Sequence, residues 1–156
     1  MNISARSILQ IPDGTQVRYI KLGEGGDWEK ECIEKDIIRI GFGSEIKFQF
    51  CVEGQWDRVE NSYIEDGKSK GTATRFTNET RLFFEDRGSI LWITFVGERL
   101  YWSFLESDKP QRHVDGHGTW RKVKGGWQCK DINGDDLTKD KLSGALTKLA
   151  AYRGTS

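Results

Sequence analysis

The sequence predicts a single α+β domain, and three observations lead there. The chain has 156 residues, close to the size of one ordinary domain and long enough to bury roughly two-thirds of its unfolded surface. Short β-rich runs with alternating polarity are interleaved with runs that carry apolar residues at helical spacing. Six Trp and eight Phe, within a hydrophobic fraction of 36%, are too much apolar surface to leave in water.

Residues 1–16 read as a lead-in ending at a Pro12-Asp13-Gly14 turn, and 17–156 as one domain. Val17 to Leu22 alternates and is expected to be the first strand. Gly23-Glu24-Gly25-Gly26 breaks it. Asp27 is an expected N-cap, and Trp28-Glu29-Lys30-Glu31 opens a short helix with acids in its first turn, ending near Asp36. Ile37 to Phe42 reads as strand.

Residues 43–75 support two readings. Ile46 to Phe50 alternates like a strand, whereas Phe48, Val52, Trp56, Val59 and Tyr63 fall at helical spacing over 44–64. Lys68 to Gly71 reads as a loop. A helix is expected over Thr74 to Phe84, with Phe76, Leu82, Phe83 and Phe84 inward; Thr77 or Asn78 would cap a later start. Ile90 to Phe95 and Arg99 to Leu105, flanking Val96-Gly97-Glu98, predict a β-hairpin. A second hairpin is expected from Gly118 to Val123 and Trp127 to Cys129 across Lys124-Gly125-Gly126. Asp136 or Thr138 would cap a last helix with Leu142, Leu146 and Leu149 on one face. No repeat divides the chain.

Formal net charge is zero, so gross electrostatics do not point to nucleic acid. Residues 1–107 carry 14 Lys+Arg against 18 Asp+Glu, a balance of −4, and residues 108–156 carry 10 against 6, or +4. A basic C-terminal third is one place for a phosphate-facing patch; a mixed, solvated surface is the plain alternative. Cys32, Cys51 and Cys129 are odd in number and lack zinc spacing. Reduced thiols and a cytoplasmic location are expected. No apolar run approaches the roughly 20 residues that span a bilayer, and residues 1–12 have no continuous apolar segment of a secretory signal.

Nothing in the chain reads as a catalytic centre. His113 and His117 are four apart, but Gly116 and Gly118 argue against the helix that would aim both at a metal. A solvated loop is the reading, and neither metal nor cofactor is expected. No GxSxG turn occurs. Glu65-Asp66-Gly67-Lys68-Ser69-Lys70 is vaguely like the acid-and-lysine set of metal-dependent nucleases, and such runs are common on surfaces. Gly23 to Gly26 lacks the Lys-Ser/Thr of a phosphate loop, and the helix after it opens with acids that repel phosphate.

The aromatics carry more. Trp28 follows a glycine-rich loop, an odd place for a core residue and a good one for offering a ring face. Trp92 and Tyr101 or Trp102 come from neighbouring strands, and alternation sends Tyr101 and Trp102 to opposite faces. Stacking a base on aromatic faces is worth roughly 1–3 kcal/mol. Ordinary core packing is the plain alternative for any one of them. Asn78 could pair with a base edge and Arg81 with a phosphate, against the simpler roles of helix cap and surface charge. Lys139, Lys141, Lys148 and Arg153 could meet phosphates, against a solvated helix face.

The run Tyr19 to Ile33, followed by Ile37 to Phe42, and the hairpin Ile90 to Leu105 resemble the PUA-like superfamily, and within it the EVE and YTH-type modified-base readers. Leu142 to Leu149 with Tyr152 to Thr155 resembles segments of N-terminal sensor domains of prokaryotic modification-dependent restriction proteins. Residues 43–70 have no counterpart. The resemblance implies a small twisted β-barrel with flanking short helices and a pocket for one extruded base. It implies double-stranded DNA with a modified base as the partner, with RNA or a protein partner as alternatives. It also implies a fused or associated effector domain that does any nuclease chemistry, and hence a domain cut from a longer protein. Trp28 matches the loop Trp of the family's cage; Trp92, Tyr101, Trp102 and Trp120 compete for the second aromatic. The zero net charge departs from the basic character that the resemblance implies for a nucleic-acid binder.

Overall fold

The structure is a computed structural model and describes residues 15–41, 45–130 and 135–138. The first strand, β1 (Val17–Tyr19), is followed by one 3-10 turn at Glu24–Gly26, then α1 (Glu29–Lys35) and β2 (Ile37–Ile40). Three helices come next: α2 (Glu45–Val52), α3 (Trp56–Glu65) and α4 (Lys70–Glu85). The chain then forms β3 (Leu91–Val96), β4 (Arg99–Phe104), β5 (Gln111–Arg112) and β6 (Thr119–Lys122). Among the described residues this is a mixed α+β architecture of four helices and two three-stranded sheets.

One sheet has the order β1-β3-β4, with β1 parallel and β4 antiparallel to β3. The predicted hairpin is present, Ile93 opposite Trp102 and Thr94 opposite Tyr101, and Gly97 takes its turn at φ 62°. The other sheet, β2-β6-β5, is antiparallel throughout. An isolated bridge at Leu105–Val123, just past the ends of β4 and β6, links the two sheets, and another at Trp102–Gln128 lays the segment after β6 against β4. No closed barrel forms among the described residues.

The second predicted hairpin is not what β6 makes. β6 pairs with β2 and β5, while Gln128 exchanges backbone bonds with Trp102 at 2.8 and 2.9 Å. The Lys124-Gly125-Gly126 turn carries the chain away, and Trp127 is pinned elsewhere: its Nε1 donates to the Ile37 carbonyl at 3.0 Å and its amide to Asp36 at 3.1 Å. Over 45–65 the helical reading holds. Phe48, Cys51, Val59, Tyr63 and Ala73 form one buried cluster that packs helix on helix. α4 begins earlier than expected, because Ser69 Oγ accepts the Thr72 amide at 3.2 Å; Thr77 and Asn78 lie inside the helix. At α1 the residue in the N-cap position is Trp28, without a side-chain cap bond, and the helix ends at Asp36 in the left-handed region. Asp136 and Thr138 sit in bridges to Lys130 and Arg99; the last helix expected beyond them lies outside the described residues.

Two further cores flank the sheets. Ile20, Leu22, Cys32, Ile38, Phe83 and Trp92 belong to a cluster shared by both sheets, α1 and α4. Leu91, Ile93, Phe95, Leu100, Trp102 and Leu137 pack on the opposite face of β3 and β4. Alternation along β3 thus sends Trp92 and Ile93 to different cores. Among the described residues no helix is long and apolar enough to cross a membrane.

Candidate functional site

A cavity of about 280 Å³ lies where the helical layer meets the ends of β1 and β2. That is near the lower end of the roughly 300–1,000 Å³ usual for small-ligand sites. Tyr19 and Ile20 line it from β1, Ile40 and Gly41 from the end of β2, and Trp92 from β3. α3 contributes Tyr63, and α4 contributes Phe76, Thr80, Leu82 and Phe83. Five aromatic residues from four elements therefore border one space. The charged residues on its lining are Arg18, Lys47, Asp66, Lys68 and Glu79.

Each wall has a local cause. Trp92 Nε1 donates to Asp86 Oδ2 at 3.0 Å, and Asp86 Oδ1 accepts the amides of Gly88, Ser89 and Ile90. This turn, joining α4 to β3, sets the indole's orientation. Phe83 stands edge-on to Trp92, with ring centroids 6.0 Å apart. Tyr63 shares a hydrogen bond with Thr80 at 3.2 Å and meets Phe76 edge-on at 5.5 Å. Burial pushes the Tyr63 hydroxyl up to about 12, so it is a neutral donor or acceptor at any physiological pH. Lys47, although its side chain is only 7% exposed, is paired with Asp66 at 2.8 Å and lies over the Tyr63 ring at 4.3 Å. Burial also raises the Tyr19 hydroxyl, with Glu29 adding to the effect.

Of the sequence-predicted base-binding residues, Trp92 lines this cavity. Trp28 lies elsewhere: its ring is covered by the Arg39 guanidinium at 3.9 Å, and side chains at Gly41 or Gly118 would press on it at 3.1 Å. Trp102 is buried in the core on the far face of the hairpin, and its Nε1 has no hydrogen-bond partner. Tyr101 is half-buried, opposite Thr94, and outside the cavity lining. Trp120 is half-buried on β6, opposite Arg39. Asn78 is exposed on α4, in a shallow groove beside the cavity. Arg81 is exposed, paired with Glu85 at 3.1 Å. Lys139, Lys141, Lys148 and Arg153 lie outside the described residues.

Sequence reasoning missed Tyr19 and Tyr63 as cavity-lining residues, and with them Lys47. Tyr63 had a signal, its place on the helical face with Phe48 and Val59, but that pattern does not separate a cavity wall from a core.

The two histidines part company. Arg39, 3% exposed, donates to Glu31 Oε1 at 2.8 Å, Asp115 Oδ2 at 2.7 Å and the His117 carbonyl at 2.7 Å. His113 Nε2 meets Glu31 Oε2 at 2.6 Å. Burial alone would raise the Glu31 carboxyl, but hydrogen bonds from His113 and Arg39 outweigh it and hold it below its usual value. The His117 amide, with help from Arg39, brings Asp115 down to about 2 against its partial desolvation. This network ties the 113–118 loop to α1 and β2, and His117 is exposed. Among the described residues no group of three or more His, Cys, Asp or Glu is placed to hold a metal ion. Burial raises Cys32 and Cys51 to about 12, leaving them as inert thiols.

The cavity thus lies between a sheet pair and a helical layer, bordered by five aromatic and five charged side chains. Comparison of the chain with protein-family models, with curated proteins and with solved structures finds no match.

Proposed function

We propose that the domain recognises a modified base in DNA, taken out of the helix and held in the cavity bordered by Tyr19, Tyr63, Phe76, Phe83 and Trp92. The observation that carries this reading is the convergence of those five rings on one space of about 280 Å³. A base ring gains roughly 1–3 kcal/mol by stacking on such walls, which offsets an extrusion cost of a few kcal/mol. A methyl group in an apolar corner adds about 0.8 kcal/mol, enough to favour a modified base without rejecting the plain one outright. Thr80, Lys47 and Glu79 supply polar groups for reading the base edge.

The two sheets, linked through the Leu105–Val123 bridge and with the Gln128 segment laid against β4, support reading the scaffold as a small PUA-like barrel of the EVE and YTH type. The reading assigns no catalytic step to this domain; in a restriction or defence protein, cleavage would belong to another domain.

The test is binding to duplexes that differ in one base: unmodified, N6-methyladenine, 5-methylcytosine or 5-hydroxymethylcytosine, at low and moderate salt. Preference for one modified duplex is expected, and Leu82→Trp, which fills the cavity from a half-buried position, is expected to abolish it with the fold intact by circular dichroism. Equal affinity for all four duplexes, or undiminished preference in the filled variant, would overturn the proposal. Matched RNA competing more strongly than DNA would move the reading to RNA.

A further inference from the structure

A shallow groove of about 340 Å³ runs beside the cavity, lined by Arg18, Gly71, Thr74, Arg75, Asn78, Glu79 and Leu82. All but Arg18 fall at spacings of three and four on α4, so one face of that helix forms the floor. Three residues, Arg18, Glu79 and Leu82, line both groove and cavity, so the two are continuous. A Cβ built at Gly71 would meet nothing within 4 Å, which leaves that end of the floor open.

The cations here differ from their neighbours. Among the described residues Lys70 is paired with Glu60, Lys47 with Asp66 and Arg81 with Glu85. Among the described residues Arg18, Lys68 and Arg75 form no ion pair. With the Gln16 amide turned so that its oxygen faces the guanidinium, Arg18 donates to it at 2.8 and 2.9 Å, a neutral partner that leaves the charge uncompensated. Arg75 and Lys68 lie 5.4 and 5.7 Å from the centroid of Phe76, the ring that forms part of the cavity wall. Three uncompensated cations thus flank the way into an aromatic pocket. Glu79, the one carboxylate on the groove among the described residues, stands on the part shared with the cavity, where it suits a base amino group better than a phosphate.

We infer that this α4 groove is the path of the nucleic-acid backbone next to the extruded base, with Arg18 and Arg75 on its phosphates and Lys68 at the cavity it leads into. The inference rests on the base-binding reading of the cavity and shifts the backbone contact from the basic C-terminal third to the helical layer. Arg75 lines the groove and not the cavity, so its loss separates the two.

The experiment uses the whole chain, two fluorescein-labelled single-stranded DNA 9-mers, one with a central N6-methyladenine and one with a central 5-methylcytosine, and the two corresponding free nucleosides. Each neutralised phosphate contributes about 0.7 to the slope of log affinity against log salt on a single strand. Arg75→Gln is expected to weaken 9-mer binding several-fold and to lower that slope by about 0.7, and R18Q/R75Q by about twice that. Nucleoside affinity of Arg75→Gln should be unchanged, and Lys109→Gln, an exposed cation on neither depression, should leave both probes unaffected. An unaltered 9-mer slope in Arg75→Gln, with nucleosides still bound, overturns the groove and spares the pocket. Failure of 9-mers and nucleosides alike overturns both. Displacement of the 9-mer by poly-glutamate at equal charge concentration overturns the assignment to nucleic acid in favour of an acidic polypeptide.

Discussion

Replacing Arg121 with methionine tests how the helical layer is fastened to the sheets. Arg121 is fully buried on β6. Its Nη1 donates to the carbonyls of Phe83 at 2.8 Å and Asp86 at 2.7 Å, and its Nη2 to the Glu106 carbonyl at 2.6 Å. The first two acceptors lie at the C-terminal end of α4, where in-helix donors run out. Each such charge-assisted bond is worth about 1.5–3 kcal/mol. Two effects reduce their combined loss. Burial pulls the Arg121 pKa below its usual value, opposed by Asp108, so an apolar side chain relieves a desolvation cost. Glu106 is also exposed, so water can reach its region once the guanidinium has gone. The net expectation is about 3–5 kcal/mol lost, as for other broken buried charge networks. Urea unfolding followed by tryptophan fluorescence measures it, with an unchanged slope confirming the same unfolded reference. Asp108→Asn, whose carboxylate approaches Nε only at 3.4 Å, should cost under about 1 kcal/mol. A loss below about 1 kcal/mol in Arg121→Met would refute the clamp, because buried carbonyls left without donors cannot be that cheap.

Other outcomes follow from the same geometry. Asp115, held at about 2, and Glu31, also lowered, contribute stability that is complete above the ordinary carboxylate range and is lost as pH falls through their folded values. Melting temperature should therefore drop between about pH 4 and pH 2, and Asp115→Asn should flatten that decline; parallel curves would count against the network. Gly118→Ala should cost more than about 2 kcal/mol, since φ is +81° and the new Cβ would stand 2.5 Å from the Ile40 carbonyl oxygen. Gly97→Ala, at φ +62° with nothing within 4 Å, should cost only about 1 kcal/mol by the same denaturation assay. Trp92→Phe removes the donor to the buried Asp86 and should cost about 1–3 kcal/mol in urea.

Local rules made the β3–β4 hairpin legible: strict alternation on both arms and a glycine where φ must be positive. α1 and β2 were legible for similar reasons, a glycine run followed by acids and then a β-branched stretch. The segment 45–65 was ambiguous because Ile46 to Phe50 alternates while a longer helical period runs through it; packing of Phe48 and Val59 into one cluster decides for helix. β6 misled because its glycine turn is local and its partners, β2 and β5, are not. Trp28 beside three glycines was a real signal with a different cause. The small residues at Gly41 and Gly118 let the indole lie against backbone, and the Arg39 guanidinium stacks on its ring. The cavity walls from α3 and α4 were hidden because an aromatic at helical spacing looks the same whether it fills a core or borders a space.

The buried charged residues explain why that space stays open. A gap with apolar walls tends to close unless the walls are held apart by something other than contact across it. Here the walls from α4, β3 and β2 are held from behind. Arg121 fixes the end of α4 to β6, Asp86 fixes the Trp92 indole, and Arg39 joins β2 to α1 and to the 113–118 loop. None of these three residues lines the cavity. A pocket whose walls are anchored independently of its contents is organised before a ligand arrives, so less of the stacking energy is spent on ordering side chains. That is the property a base reader requires, since the base must already have left its helix at a cost of a few kcal/mol before any wall can touch it.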